Sequence, residues 1–289
     1  MKIFLKYFAI LFFAFIIFVP AIAEAHQPRL VRSNNTMVND PETSKAYYGR
    51  LTGAPQTFFI SAKTPFVLYV NILVPDIIGQ PKDVSAIITK YSEAENSVLT
   101  LDGPAFKWTR FWEPFGRDWY WQGPEYRQRA GAGQYEIKVR SINNDSKYSL
   151  AIGEVEAFDF NESVNALNLI PILKKNFFNE SPIGFILSPF GYGYIIIIYL
   201  IALALILFAR AIIKRNKPDF LKDPNDPNRL KSLKKSTRLI LALLGLALLF
   251  YAISTTWNPF LLLLSGLGVV MGLSVIFKSN IVSTSEIVK

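Results

Sequence analysis

Apolar and polar residues alternate through the middle of the chain, and this alternation predicts β-strands. In the segment 66–74 every second residue is large and apolar, so that five side chains share one face of a strand: Phe66, Leu68, Val70, Ile72 and Val74. Pro75 follows, and we expect it to end the strand because proline has no amide hydrogen for a ladder. The segments 57–61 and 84–91 are also rich in β-branched and aromatic residues and are predicted to be strands.

The same two-residue period returns twice near residue 140. Apolar residues alternate with charged ones over 135–139, and apolar residues alternate again over 148–152, with the turn-forming sequence Asn-Asn-Asp between the two runs. We predict that these two strands form an antiparallel pair with one buried face. Short strands without a helical period between them predict an all-β sandwich or jelly-roll-like domain over residues 26–160.

These last two strands also carry a family resemblance. The sequences AGQYEIKV (132–139) and KYSLAIG (147–153) resemble the closing strands of bacterial pre-peptidase C-terminal-type domains. The resemblance implies a jelly-roll-like β-sandwich that serves as an accessory or binding module rather than as a catalyst. The whole layout, a domain followed by apolar segments, is similar to that of bacterial membrane-anchored proteins.

Long apolar segments occur at both ends of the chain. Residues 1–25 have two lysines, an apolar stretch from Phe8 to Val19 and small residues at 21–25, which is typical of a signal peptide. An uncleaved N-terminal anchor is the alternative, and both place residues 26–190 on the extracytoplasmic side of the membrane. Three further segments, 191–213, 239–257 and 259–277, are predicted to be transmembrane helices, the last two separated at Asn258-Pro259.

The distribution of charge predicts how these helices are oriented. Residues 26–190 hold 17 basic and 17 acidic residues, whereas the loop 214–238 holds nine Lys or Arg and three Asp. Because basic loops stay in the cytoplasm, we expect the loop 214–238 and the tail 278–289 to be cytoplasmic and the loop to contact anionic lipid. The absence of cysteine favours a bacterial envelope protein, anchored in the cytoplasmic membrane, over a disulfide-rich secreted one. A neutral outer domain argues against nucleic-acid binding.

Two features near the membrane concern packing. Apolar residues recur at helical spacing over 161–190, and we predict a partly helical juxtamembrane segment, interrupted at Pro171, whose Lys174 and Lys175 meet lipid headgroups. The alternative is that this segment packs against the β domain. Gly268 and Gly272 form a small-xxx-small face for helix packing, either with the preceding helix or in a dimer.

The densest group of aromatic residues lies within 106–126, which Pro and Gly predict to be a loop. Aromatic rings with neighbouring charges suit a partner protein or a glycan. The alternative is that most of these rings fill one end of the sandwich. The candidate binding residues are Trp108, Arg110, Trp112, Trp119, Tyr120, Trp121 and Tyr126.

The sequence contains no motif for catalysis or for a cofactor. There is no cysteine nucleophile, no phosphate-binding loop and no Gly-x-Ser-x-Gly elbow. His26 is the only histidine and a weak candidate for copper, which normally requires a second imidazole. We therefore expect a non-catalytic protein that binds a partner protein or glycan. The alternatives are an accessory subunit of a membrane enzyme or transporter and, less favoured, a copper-binding protein.

Overall fold

The computed structural model describes residues 26–92, 96–157, 159–215 and 235–273. The chain divides into two compact units, one ending at Phe190 and the other beginning at Gly191. The predicted signal segment 1–25, residues 216–234 of the loop 214–238 and the tail 278–289 lie outside the described residues and stay predictions.

The first unit contains two mixed sheets. The strands that the structure describes are β1 (Gln27–Leu30), β2 (Asn35–Val38), β3 (Lys45–Arg50), β4 (Gln56–Ala62), β5 (Phe66–Pro75), β6 (Ser85–Tyr91), β7 (Ser97–Leu101), β8 (Thr109–Glu113), β9 (Asp118–Ala130), β10 (Gly133–Arg140) and β11 (Lys147–Ile152). Sheet one has the order β1-β3-β11-β5-β9-β8, and sheet two has the order β2-β4-β10-β6-β7. The pairs β1–β3 and β2–β4 are parallel, and the other pairs are antiparallel.

One hydrophobic core is shared by the two sheets. The five alternating side chains of β5 are each no more than 4% exposed, which confirms the face predicted from their period. They belong to the same buried cluster as Phe58 and Ile137 of sheet two and Leu150 of sheet one. The strand ends at Pro75, as predicted. The arrangement is sandwich-like and buries nearly every large apolar side chain of the central strands.

The predicted pairing of the last two strands is wrong. β10 lies in sheet two between β4 and β6, whereas β11 lies in sheet one between β3 and β5. The connection 141–146 crosses from one sheet to the other, so each strand is bonded on both sides by other strands. The apolar faces were correctly predicted, because Tyr135, Ile137 and Val139 are buried, but a two-residue period does not reveal which strand is the neighbour.

A helix packs on sheet one in place of the predicted interrupted segment. Helix α1 (Phe160–Asn176) continues through Pro171 and is followed by a 3₁₀ turn (Pro182–Leu187). Leu173, Phe177 and Phe178 form a buried cluster with Tyr120 of β9. The prediction of an interrupted helix was therefore wrong, because packing against the sheet outweighs the hydrogen bond that the proline removes.

The second unit consists of apolar helices. Its described helices are α2 (Pro189–Arg215), α3 (Lys235–Thr255) and α4 (Pro259–Leu273). The first two residues of α2 belong to the first unit. The segments Phe190–Ala209 and Ser236–Thr255 are long and apolar enough to cross a membrane. Helix α4 is apolar but shorter over its described residues, and the predicted span 259–277 runs beyond them.

Small residues allow α3 and α4 to approach closely. A Cβ atom on Gly268 would lie 3.0 Å from the carbonyl oxygen of Leu241, and one on Gly272 would lie 2.5 Å from the Cβ of Ala242. A Cβ on Gly245 of α3 would lie 2.7 Å from the amide nitrogen of Val269. The small-residue face is thus turned toward the preceding helix of the same chain, where a side chain would separate the two backbones.

Candidate functional site: an aromatic hairpin

Strands β8 and β9 form a hairpin whose two faces differ in chemistry. In its register Trp112 lies opposite Trp119, and Arg110 lies opposite Trp121. The intervening pairs are Phe111 with Tyr120 and Glu113 with Asp118. Because cross-strand partners point to the same side and successive residues to opposite sides, the tryptophans occupy one face and the carboxylates the other.

The segment predicted to be a loop is therefore mostly strand. Gly123 and Pro124 of this segment form a bulge. Asn71 pairs with Glu125 and Leu73 pairs with Gln122, so these two residues of β9 lie opposite the single residue Ile72. A Cβ on Gly123 would lie 2.6 Å from the indole of Trp108 and 2.9 Å from a backbone oxygen of β5. Glycine is required by this close approach, and proline is tolerated at a bulge, so neither breaks the sheet.

On the open face, Trp112 and Trp119 pack against each other. Their ring centroids are 5.0 Å apart with an interplanar angle of 54°. Trp119 is 39% exposed, which is unusual for so large an apolar ring. The guanidinium of Arg110 lies 4.1 Å from the centroid of Trp119, and that of Arg117 lies 5.7 Å from Trp112. Both distances are within the range of cation–π attraction.

Asp76 connects this pair to the third tryptophan of the face. One carboxylate oxygen accepts a hydrogen bond from Arg110 Nε at 2.7 Å, and the other accepts from Trp121 Nε1 at 2.9 Å. The ammonium of Lys82 lies 3.4 Å from the centroid of Trp121. We call this surface the aromatic row, and it consists of Arg117, Trp112, Trp119, Arg110, Trp121 and Lys82.

The other predicted binding residues lie elsewhere. Trp108 donates from Nε1 to the carbonyl of Gly103 at 2.8 Å and packs, half-buried, against the core. Tyr126 also packs against the core. Tyr120 is only 3% exposed and lies beneath α1, where its hydroxyl is 3.0 Å from that of Tyr48. Trp121 is also half-buried against the core, but its hydrogen bond to Asp76 connects it to Arg110. The structure thus brings together Arg110, Trp112, Trp119 and Trp121 and separates the other three from them.

The covered face of the hairpin contains a buried ion pair that we did not predict. Lys174 Nζ lies 2.8 Å from Asp118 Oδ1, and the two side chains are 2% and 4% exposed. Lys174 was expected to meet lipid headgroups, and that prediction is wrong. The signal was present in the sequence, since Lys174 lies four residues after Ile170 and three before Phe177, which is the spacing of a single helix face.

A second carboxylate lies beside this ion pair. Glu113 accepts hydrogen bonds from the amides of Phe115 at 2.7 Å and Gly116 at 2.6 Å. Burial raises the pKa of Glu113 to about 7, although these two amides favour its charged form. Burial likewise raises the pKa of Asp118 to about 6, and Lys174 offsets part of that increase. Two carboxyl groups of the covered face therefore titrate near neutral pH.

Perturbed carboxyl groups can mark a catalytic site, but the space beside these two is small. They line a cavity of about 30 Å³ together with His26 and Tyr48, which is room for about one water molecule. The imidazole Nδ1 of His26 is hydrogen-bonded to Ser44 Oγ. Within the described residues no group of three or more His, Asp or Glu side chains is placed to hold a metal ion. The arrangement suits a structural clamp between β9 and α1.

Two larger cavities lie at the sides of the sheets. A cleft of about 720 Å³ is lined by Arg29 and Lys45, but Arg29 is paired with Glu162 at 2.6 Å and Lys45 donates to the carbonyls of Asn39 and Asp40. A groove of about 260 Å³ lies between β7 and β9. None of these three cavities is lined by a tryptophan of the aromatic row. Its outer side chains, Trp119, Arg110, Arg117 and Lys82, are exposed, so the row forms a ridge outside these three cavities.

Comparison with known proteins gives only faint similarities. No protein-family model matches the chain, and no curated protein matches it in sequence. Among solved structures, it is similar to the pre-peptidase C-terminal domain of a collagenase from Bacillus anthracis, with 8% identity, a TM-score of 0.24, and coverage of 45% of this chain and 97% of that one. It is also similar to a β-glucosidase from Paenibacillus barengoltzii, with 12% identity, a TM-score of 0.20, and coverage of 46% and 14%. Scores this low carry no information about function.

Proposed function

We propose that the chain is a membrane-anchored protein of the bacterial cell envelope whose sandwich-like unit is a non-catalytic module that binds a partner protein or a glycan. The binding surface is the aromatic row. The observation that carries this proposal is the packed pair of Trp112 and Trp119, in which Trp112 is half-buried and Trp119 is 39% exposed, whereas most large rings of the same unit are buried or half-buried.

The aromatic row is suited to binding because its side chains are already held in place. Asp76 fixes both Arg110 and Trp121, and the two packed indoles restrict each other. A side chain that is ordered before binding loses little conformational entropy when a ligand arrives. Tryptophan and arginine are also the residues that contribute most to binding energy at protein interfaces, and indole faces stack readily on sugar rings.

The membrane anchor is the second part of the proposal. Helices α2 and α3 are long and apolar enough to span, and α4 packs closely on α3. We infer three spans in the cytoplasmic membrane, with the unit 26–190 outside and the basic loop 214–238 in the cytoplasm beside anionic lipid. The β unit is inferred to be jelly-roll-like.

The proposal is tested by capture from the native membrane. The full chain and the double variant Trp112→Ala/Trp119→Ala are crosslinked mildly in cells, purified in detergent, and their co-purifying proteins and glycans are identified by mass spectrometry. We expect the double variant to capture at least about tenfold less partner than wild type, because two central aromatic anchors are removed. Phe106→Ala is the control, because Phe106 is an equally exposed ring outside the row. Unchanged capture by the double variant would contradict the proposal and, if a membrane subunit is captured, would favour an accessory subunit that binds through its helices.

A further inference from the structure

We infer that the ligand of the aromatic row is an anionic glycan, a polysaccharide that carries carboxylate groups. This inference rests on the proposed function and names the class of ligand for the same surface. It follows from a juxtaposition that the sequence does not reveal, namely one cation at the face of each tryptophan of the row.

The three cations come from different parts of the chain. Arg117 belongs to the β8–β9 turn, Arg110 belongs to β8, and Lys82 precedes β6. They lie 5.7, 4.1 and 3.4 Å from the centroids of Trp112, Trp119 and Trp121, respectively. Charged and aromatic groups therefore alternate along one exposed ridge, and residues two apart on its strands are separated by roughly 7 Å.

The ridge keeps a surplus of positive charge. Asp76 is the carboxylate hydrogen-bonded to the row, and it is shared by Arg110 and Trp121. Arg117 and Lys82 form no ion pair within the part of the chain that the structure describes. Glu113 and Asp118 are close in sequence, but they point to the opposite face of the hairpin. A ligand that lies along the ridge thus meets two cations, Arg117 and Lys82, that have no carboxylate partner among the described residues. It also meets Arg110, whose carboxylate partner Asp76 is shared with Trp121.

The shape of the surface favours a glycan over an acidic protein. The row lines none of the three cavities described above, whereas the side chains that contribute most to protein interfaces are typically anchored in well-packed pockets. A sugar ring, in contrast, stacks on an open indole through its C–H groups and requires no pocket. Repeating carboxylates on such a polymer would bind the cations beside the rings through charge-assisted hydrogen bonds.

The inference is tested with two polymers that share one sugar backbone and differ in whether its carboxyl groups are charged or methyl-esterified. The full-length protein in detergent micelles is immobilised, and its binding of polygalacturonate is compared with that of the fully methyl-esterified polymer at low and high salt. We expect the acidic polymer to bind at least about tenfold more tightly and to weaken as salt screens the charges. The triple variant Lys82→Gln/Arg110→Gln/Arg117→Gln should bind the acidic polymer about thirtyfold more weakly than wild type, which corresponds to about threefold per exposed cation.

Arg127→Gln is the matched control for the arginine substitutions. Arg127 is exposed and paired with Glu154 at 2.6 Å, as Arg110 is paired with Asp76, but it lies outside the row. Equal affinity for the two polymers, undiminished binding by the triple variant, or displacement of polygalacturonate by polyglutamate or single-stranded DNA at lower concentration would overturn the inference. If capture from the envelope depends on Trp112 and Trp119 but not on the cations, the proposed function stands and this inference fails. If it depends on neither, both fail.

Discussion

The two faces of the β8–β9 hairpin arise from the same alternation of side chains, but they differ in burial and in the role that we assign to them. On the covered face, α1 excludes water from Asp118, Lys174 and Tyr120, and every polar group there has a partner within the protein. On the open face, Trp112 and Trp119 pack against each other, and Trp119 remains 39% exposed. Adjacent side chains such as those of Asp118 and Trp119 therefore belong to a structural clamp and to a candidate binding surface, respectively.

The comparison shows that burial, rather than residue type, separates the two roles. Aromatic rings and charges occur on both faces, but only on the covered face are the charges desolvated. There, a carboxylate and an ammonium that lack water depend on each other, and removing one partner leaves a costly buried charge. On the open face the same residue types remain solvated, so they can be substituted at little cost to folding.

The largest expected effect is on the covered face. Lys174→Met leaves Asp118 buried without its cation and should lower the free energy of unfolding by about 3–5 kcal/mol at pH 8. The loss should be smaller at pH 5, because Asp118, with a pKa of about 6, then takes up a proton. Thermal unfolding of the detergent-solubilised protein, followed by tryptophan fluorescence, measures both values.

The exposed neighbour Lys175 provides the matched control for that substitution. Lys175→Met should leave the unfolding temperature unchanged, and adding Asp118→Asn to Lys174→Met should recover part of the loss, since no charge is then buried. An equal effect of the two lysine substitutions would show that the ion pair does not hold α1 on the sheet.

A smaller effect is expected at a purely structural contact in the second unit. Gly272→Leu places a side chain where even a Cβ would lie 2.5 Å from Ala242, so α3 and α4 must separate, at a cost of about 1–3 kcal/mol. Thermal unfolding of the detergent-solubilised protein measures this loss, and the variant should unfold at a lower temperature than wild type. Leu264→Val, on an exposed part of α4, should leave the unfolding temperature unchanged.

The smallest effect concerns the pH dependence of the covered face. Because the folded state raises the pKa of Glu113 to about 7, it binds a proton more tightly than the unfolded chain does. This contribution to stability is complete below the unfolded pKa of about 4.5 and is lost as the pH rises through 7. Glu113→Gln should therefore reduce the decline in unfolding temperature between pH 5 and pH 8. An unaltered decline would show that Glu113 is not desolvated.

Much of the β unit could be predicted from local patterns. The period of two identified β5 and its buried face, and it identified the buried residues of β10, because strand geometry fixes which side chains share a face. It could not show that β10 and β11 belong to different sheets, because neighbouring strands are chosen by contacts distant in sequence. The predicted interruption of the helix at Pro171 was wrong for a related reason, because the packing of Leu173 and Phe177 compensates for the missing hydrogen bond.

The candidate site was predictable only in part. The density of tryptophan correctly indicated the segment that contains the aromatic row. The sequence could not distinguish exposed rings from buried ones, and the buried Tyr120 was therefore predicted to be a binding residue. Lys82 and Asp76 were missed because they come from outside the segment and reach the row only in the folded state. The separation of the two faces depends on α1, which follows β9 by thirty residues.

The most direct test measures binding and stability on the same preparations. Wild type, Trp112→Ala/Trp119→Ala and Lys174→Met are compared for capture of the envelope partner and for unfolding temperature at pH 8. We predict that the tryptophan variant loses capture while its unfolding temperature stays within about 3 °C of wild type, and that Lys174→Met unfolds earlier. If the tryptophan variant keeps its partner, or loses it only because it unfolds, the open face is part of the core and the account is contradicted.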